Sequence, residues 1–109
     1  MKTSYFGRMK TMSLAERGMC VAISRGCPVW YKGKRLLELA PTRAMLRMAP
    51  AEYDGNYADI LAALDPKMIA ATLGQDAILL CWEKPGLPCH RHTVADWLQH
   101  HTGIEVVEL

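Results

Sequence analysis

The chain of 109 residues is long enough for one compact domain and too short for two ordinary ones, so a single domain over residues 1–109 is expected. Half of its residues are apolar and 22% are charged, which excludes a wholly disordered chain. The net charge of +2 is too small to indicate nucleic-acid binding by itself. Because the chain lacks a long apolar segment and a signal-peptide pattern, we expect a cytoplasmic protein with no membrane partner.

The first part of the chain predicts two strands joined by a short helix. Lys2–Phe6 is a candidate strand at the N-terminus. Ser13 and Glu16 have the spacing of a capping box, and Gly18 is expected to end that helix after about one turn. Met19–Ser24 is a continuous apolar run, which is typical of a strand covered on both faces.

The middle of the chain predicts helices. Residues 25–40 are rich in Gly, Pro and aromatic residues and are predicted to be irregular. Pro41 is expected to open a helix with Ala44, Met45 and Met48 on its apolar face. Helical spacing predicts a second helix through Tyr57, Ile60, Leu61 and Leu64. Asp65-Pro66 predicts the N-cap and first residue of another helix, which Gly74 closes.

The last third supplies a strand, a helix and a final strand. Ala77–Trp82 is the clearest buried strand of the chain. A loop over Glu83–Leu87 leads to a helix of roughly Pro88–His101, and Ile104–Glu108 is expected to form a strand. Strands that alternate with helices indicate an α/β fold. We therefore predict a small Rossmann-like three-layer sandwich with about four mostly parallel strands.

Charge is distributed unevenly along the chain. Residues 1–47 hold ten Lys or Arg and two acidic residues, whereas residues 48–109 hold three and nine. The basic 25–47 region would attract phosphate groups or an acidic protein partner, unless the two halves mix their charges in the folded state. Trp30 and Tyr31 next to Lys32 could stack a nucleic-acid base, but a loop with Trp30 at the edge of the core is the favoured interpretation.

The four cysteines predict no metal site. Cys20 and Cys81 lie in apolar runs and are expected to be small core residues. The chain has no Cys-x-x-Cys pair, which is the usual signal of a zinc or thioredoxin-like site. In a cytoplasmic protein we also expect the thiols to stay reduced rather than to form disulfides.

The sequence predicts a ligand site at the carboxyl edge of the sheet. Ligands of parallel α/β sheets bind there, so the loops after Phe6, Ser24 and Trp82 are the candidate positions. Cys89-His90-Arg91-His92 follows the third of these strands and opens a helix, whose N-terminus favours an anion. Arg25 and Arg91 would add donors for phosphate or carboxylate, and Cys89 would be a candidate nucleophile.

Helical geometry orders the residues that open this last helix. Its apolar stripe is formed by Val94, Trp97, Leu98 and His101. At about 100° per residue, His90 and Arg91 are expected to line the cleft, with Cys89 at its margin and His92 facing water. Cys89 and His92 would then point away from the strand that bears Cys81, which disfavours zinc. The structural alternatives are a His90 imidazole bonded to the backbone and an Arg91 paired with Glu83.

Several segments also match the pattern of one known family. The most specific is Cys81-Trp-Glu83 followed by Cys89-His90-Arg91, and Thr3-Ser4-Tyr5-Phe6 and Ile23-Ser24-Arg25 agree in the first half. Over nearly its whole length the chain resembles the short stand-alone branch of the domain-of-unknown-function 488 family. The resemblance implies a Rossmann-like fold and no particular activity. It implies that polar residues gather at the sheet edge: Ser4, Arg25, Cys81, Glu83, Cys89, His90 and Arg91.

Two functions follow as predictions. The first is binding of a nucleotide-like or phosphate-bearing ligand through Ser4, Arg25, Cys81 and Arg91. Whether the ligand is turned over stays open; hydrolase or transferase activity on nucleotides or nucleic acid would use Glu83, Cys89 and His90. The sequence does not identify a cofactor, which stays unknown. The alternative is a non-enzymatic interaction protein, such as a phage-encoded inhibitor of a host defence factor, that acts through its basic N-terminal half.

Overall fold

The computed structural model describes residues 1–82 and 89–109, and within these ranges the chain forms one sheet and the helices that pack on it. The five strands are β1 (Lys2–Tyr5), β2 (Cys20–Ala22), β3 (Lys34–Arg35), β4 (Ile78–Cys81) and β5 (Val107–Glu108). The α-helices are α1 (Leu14–Met19), α2 (Pro50–Ala62), α3 (Pro66–Leu73) and α4 (His90–Thr102). Short 3₁₀ helices occupy Phe6–Thr11, Leu37–Leu39 and Ala44–Arg47.

All strands of the sheet are parallel, in the order β3-β2-β4-β1-β5. The predicted α/β class and Rossmann-like architecture are confirmed, with five strands where about four were expected. The additional strand is β3, which lies in the region predicted to be irregular. Both of its residues are exposed, so no apolar pattern marks it. It is held to β2 by main-chain pairing, which continues when the Leu36 amide donates to the Ala22 carbonyl at 2.9 Å.

Successive side chains of a strand point to opposite faces of the sheet, and in the central strands β2 and β4 the side chains on both faces are buried. Val21 and Leu79 belong to the apolar cluster with α2, α3 and α4. Ala22 and Leu80 belong to a second cluster, under the 3₁₀ helix that follows β1. This two-sided burial explains why β2 and β4 appear in the sequence as continuous apolar runs. None of the helices in the described ranges has the length and apolar character needed to cross a membrane.

Local capping signals correctly located the starts of two helices. Ser13 Oγ accepts the Glu16 amide at 3.1 Å, and the Ser13 amide donates to the Glu16 carboxylate at 2.9 Å. Asp65 Oδ1 accepts the Lys67 amide at 3.0 Å, and α3 ends at Gly74, whose φ is +82°. Such a positive φ costs glycine little, because it has no Cβ. Gly18, by contrast, does not end α1, which continues to Met19.

The prediction that a helix begins at Pro41 is wrong. Only a 3₁₀ turn forms at Ala44–Arg47, and α2 begins at Pro50 instead. A proline disfavours helical geometry in the residue before it, and Ala49 is extended, with φ −63° and ψ 154°. Pro50 therefore interrupts the helical pattern around Met45 and then occupies the first position of α2.

Candidate functional site

A crevice opens at the carboxyl edge of the sheet. In parallel α/β sheets, ligands bind at the carboxyl ends of the strands. A cavity of about 540 Å³ lies where β2 and β4 end, and this volume is within the usual range for small-molecule sites. Its wall is formed by Ser24, Arg25, Gly26, Pro41, Met45, Leu46, Met48, Pro50, Tyr53, Asp54, Cys81, Trp82, Cys89, His90, His92 and Thr93.

The loop after β2 forms one wall and is fixed by hydrogen bonds to its own main chain. Ser24 Oγ donates to the Gly26 carbonyl at 2.6 Å, and Trp82 Nε1 donates to the same carbonyl at 2.9 Å. Arg25 is half-buried, and its Nε donates to the Pro41 carbonyl at 2.9 Å. In residues 1–82 and 89–109 its two terminal nitrogens have no hydrogen-bond partner, so they can serve an anion.

His90 lies on the opposite wall and is neutral. Its Nε2 is 2.7 Å from the Ile23 carbonyl oxygen, which can only accept, so we assign the proton to Nε2 and leave Nδ1 as an acceptor. Burial lowers the pKa of His90, against the opposing effect of the Ile23 bond, and the Arg91 charge lowers it further. The predicted backbone-bonded imidazole is thus present, but the ring also faces the cavity.

Cys89 is brought together with Cys81, contrary to the expectation that it points away. Their Sγ atoms are in direct contact, at disulfide distance, with Cα atoms 7.3 Å apart. The helical-wheel argument fails because Cys89 is the N-cap of α4, with φ −154° and ψ 142°, and is therefore not a helical residue. His90 Nδ1 lies 3.9 Å from Cys89 Sγ. His92, expected to face water, lines the cavity and is half-exposed.

Arg91 is fully buried behind the cavity wall, so the expectation that it lines the cleft is wrong. Its Nε and Nη2 donate to the two carboxylate oxygens of Glu108 at 3.1 and 2.9 Å, and Nη1 contacts Cys81 Sγ at 3.1 Å. Thr3 Oγ1 donates to the same carboxylate at 2.5 Å. Burial alone would raise the pKa of Glu108, but the hydrogen bonds from Arg91 and Thr3 outweigh it, and the pKa is lowered.

Glu108 was missed as a functional partner by sequence reasoning, which placed it in the last strand without a role. Its position became meaningful only through the pairing of β5 with β1, which sets Glu108 opposite Thr3. A carboxylate on a short terminal strand gives no indication of which arginine it will meet. The bidentate contact with Arg91 is therefore a product of strand order.

Ser4, another of the predicted site residues, lies away from the cavity. Ser4 is fully buried on β1, and its hydroxyl has no hydrogen-bond partner among the described residues. Because Thr3 contacts Glu108 on the α4 side, Ser4 points to the opposite face of the sheet, away from the cavity. Glu83 lies outside the described residues. Trp30 is half-exposed and contacts the ring of Phe6 edge-on, as the favoured interpretation of that loop proposed.

Comparison with protein-family models, curated proteins and solved structures found no match to this chain. The resemblance to the domain-of-unknown-function 488 family therefore stays a prediction that rests on the sequence motifs. What stands independently of it is the parallel α/β sheet and the cavity at its carboxyl edge.

Proposed function

We propose that this protein binds a small anionic ligand of the nucleotide type in the cavity at the carboxyl edge of its sheet. The observation that carries the proposal is the composition of the cavity wall, which combines a partly exposed arginine with aromatic and thioether side chains. A nucleotide needs both kinds of group, because its base is planar and apolar on its faces whereas its phosphate is charged.

Arg25 is the proposed hydrogen-bond donor to the phosphate of the ligand. Its Nε is fixed by the Pro41 carbonyl, which holds the guanidinium at the wall and limits the entropy lost when an anion binds. The first turn of α4 faces the same space through Cys89, His90, His92 and Thr93. The positive end of the α4 dipole favours an anion from that side.

Trp82 and Tyr53 are the proposed contacts for the base. Trp82 is 53% exposed, although its indole nitrogen is held by the Gly26 carbonyl, so one ring surface is available for stacking. Met45 and Met48 add polarizable apolar surface that adapts to a planar ligand.

The test is titration calorimetry of the reduced protein with purine and pyrimidine nucleoside monophosphates and with inorganic phosphate. Nucleotides are expected to bind more tightly than phosphate alone. Arg25→Gln should weaken nucleotide binding by about 10–100-fold, since a hydrogen bond to a charged group contributes roughly 1.5–3 kcal/mol. Arg43→Gln, an exposed cation outside the wall, is the matched control. Equal affinity of the two variants, or no nucleotide binding by the native chain, contradicts the proposal.

Turnover is tested separately, by chromatography of the nucleotide after incubation with the protein. A consumed nucleotide would support the catalytic roles predicted for Glu83, Cys89 and His90. An unchanged, bound nucleotide would make the protein a binding module and remove those roles.

A second candidate function is protein binding through the basic 25–47 region. The edge strand β3 has both residues exposed, and Val29 and Leu46 are 90% and 62% exposed in the same region. Exposed apolar side chains among cations are typical of interaction surfaces. Replacement of Arg35, Arg43 and Arg47 by Glu, which reverses their charge, should then abolish any effect that the protein has in cells and leave nucleotide binding intact. A cellular effect that survives this reversal contradicts the second candidate.

A further inference from the structure

We infer that Cys81, Cys89 and His90 form a zinc site on the wall of the cavity. Cys81 Sγ, Cys89 Sγ and a ring nitrogen of His90 all lie within 4.8 Å of one another. Two ligands of one tetrahedral zinc ion are roughly 3.5–3.8 Å apart, given bond lengths of about 2.0–2.3 Å. The 3.9 Å between His90 Nδ1 and Cys89 Sγ is close to that spacing. This inference goes beyond nucleotide binding and does not depend on it.

His90 is oriented as metal-binding histidines are. Such residues usually donate their second ring N–H to a carbonyl or carboxylate, which fixes the ring and directs the remaining lone pair at the metal. Here Nε2 is held by the Ile23 carbonyl at 2.7 Å, and Nδ1 is the nitrogen directed toward the sulfur atoms.

A hydrogen-bond donor and a helix terminus lie beside the two sulfur atoms. Arg91 Nη1 donates to Cys81 Sγ at 3.1 Å, and Glu108 holds that guanidinium in place. Cys89 is the N-cap of a 13-residue helix, so its sulfur lies near the positive end of the helix dipole.

The backbone spacing favours a bridging ion over a disulfide. The Cα atoms of Cys81 and Cys89 are 7.3 Å apart, whereas disulfides usually span about 4.4–6.8 Å. An ion between the sulfur atoms would move them apart, which this spacing accommodates. Binding of Zn²⁺ to two thiols and a neutral imidazole forms two Zn–S bonds and one Zn–N bond, and the two thiol protons are released to solvent. The adjoining cavity leaves room for water or a bound ligand as a fourth group.

The site is tested on the full-length protein after chelator treatment and complete reduction. Titration with Zn²⁺ against a chromophoric competitor should show one equivalent bound, with close to two protons released per ion when the thiols start protonated. Co²⁺ in its place should give sulfur-to-metal charge-transfer absorption.

Cys89→Ser is the decisive variant, because serine is a better N-cap than cysteine and the helix is expected to fold. It should lose zinc affinity by at least about 100-fold, since outer-shell changes alone remove roughly 10–100-fold. Cys27→Ser is the matched control: Cys27 is a half-buried free cysteine outside this cluster, and its variant should bind zinc like the native chain. Circular dichroism confirms that both variants are folded.

Three results would overturn the inference. The reduced native chain could bind no zinc, or the Cys89→Ser and Cys27→Ser variants could bind zinc with equal affinity. In the third result, the two thiols become reactive only after treatment with a reductant and never after treatment with a chelator. The last result would identify a disulfide instead. Zinc binding without nucleotide binding would support this site and contradict the proposed function, so the two failures are distinguishable.

Discussion

His90 and Arg91 are neighbours at the start of α4, yet they belong to two different regions of the molecule. His90 belongs to the cavity region at the ends of β2 and β4, where its Nδ1 has no strong hydrogen-bond donor among the described residues. Arg91 belongs to the region between α4 and β5, where both carboxylate oxygens of Glu108 accept hydrogen bonds from one edge of its guanidinium. A buried polar group that already has partners in the chain holds the fold together, whereas one with remaining capacity is the better candidate for function.

The largest expected effect on stability comes from the removal of the Arg91 side chain. Arg91→Ala should destabilise the protein by about 3–5 kcal/mol, because it leaves a partly buried carboxylate without its partner and removes a large buried side chain. Urea denaturation measures the change. Arg43→Ala, at an exposed position, should change stability by less than about 0.5 kcal/mol. A loss below about 1 kcal/mol for Arg91→Ala would place Arg91 outside the structural role assigned to it.

The second effect tests the cavity region in the same way. His90→Ala should destabilise the chain by about 2 kcal/mol, through loss of the Ile23 hydrogen bond and of the edge contact with Tyr57. It should also abolish the zinc binding inferred for this cluster, measured with the same competitor. His100→Ala, on the exposed side of α4, is the control. If His90→Ala costs as much as Arg91→Ala, the contrast between the two regions fails.

The pH dependence of stability sharpens the comparison, because each region should respond in its own window. The pKa of His90 is lowered from 6.5, so its contribution is complete above pH 6.5 and is lost as the pH falls through the folded pKa. The pKa of Glu108 is lowered from 4.5, so its contribution is lost only below that value. Denaturation midpoints between pH 3 and 8 should therefore fall in two steps.

His90→Gln should remove the upper step and leave the lower one, and Glu108→Gln should do the reverse. Glu108→Gln also leaves the buried Arg91 charge without its counter-ion, so its stability should be lower at every pH above 4.5. A single step in the native protein, unaffected by His90→Gln, would contradict a neutral, buried His90.

The smallest expected effect concerns the opposite face of the sheet. Ser4→Ala should leave stability unchanged or raise it by up to about 1 kcal/mol, because it removes a buried hydroxyl that has no partner among the described residues. Nucleotide affinity should be unchanged, since Ser4 points away from the cavity. A loss of nucleotide affinity in the Ser4→Ala variant would restore the ligand role predicted from sequence.

Particular residues show how far sequence reasoning reached. The runs Met19–Ser24 and Ala77–Trp82 predicted two buried strands, and Ser13, Asp65 and Gly74 marked helix ends, because such signals act over a few neighbouring residues. β3 could not be predicted, since two exposed cationic residues carry no strand pattern. Cys89 was misplaced because helical spacing was extended to an N-cap residue, whose backbone is not helical.

By itself, the sequence determined the class of the fold and the edge of the sheet at which polar side chains cluster. It also determined that Arg25, Cys89 and His90 lie at that edge. These features follow from hydrophobic periodicity and from the rule that parallel strands end on one side. Only the tertiary structure decided how the polar groups pair: Arg91 with Glu108, and Cys81 with Cys89 and His90. Those pairings depend on strand order and on the exact start of α4, which bring together residues that nothing local in the chain connects.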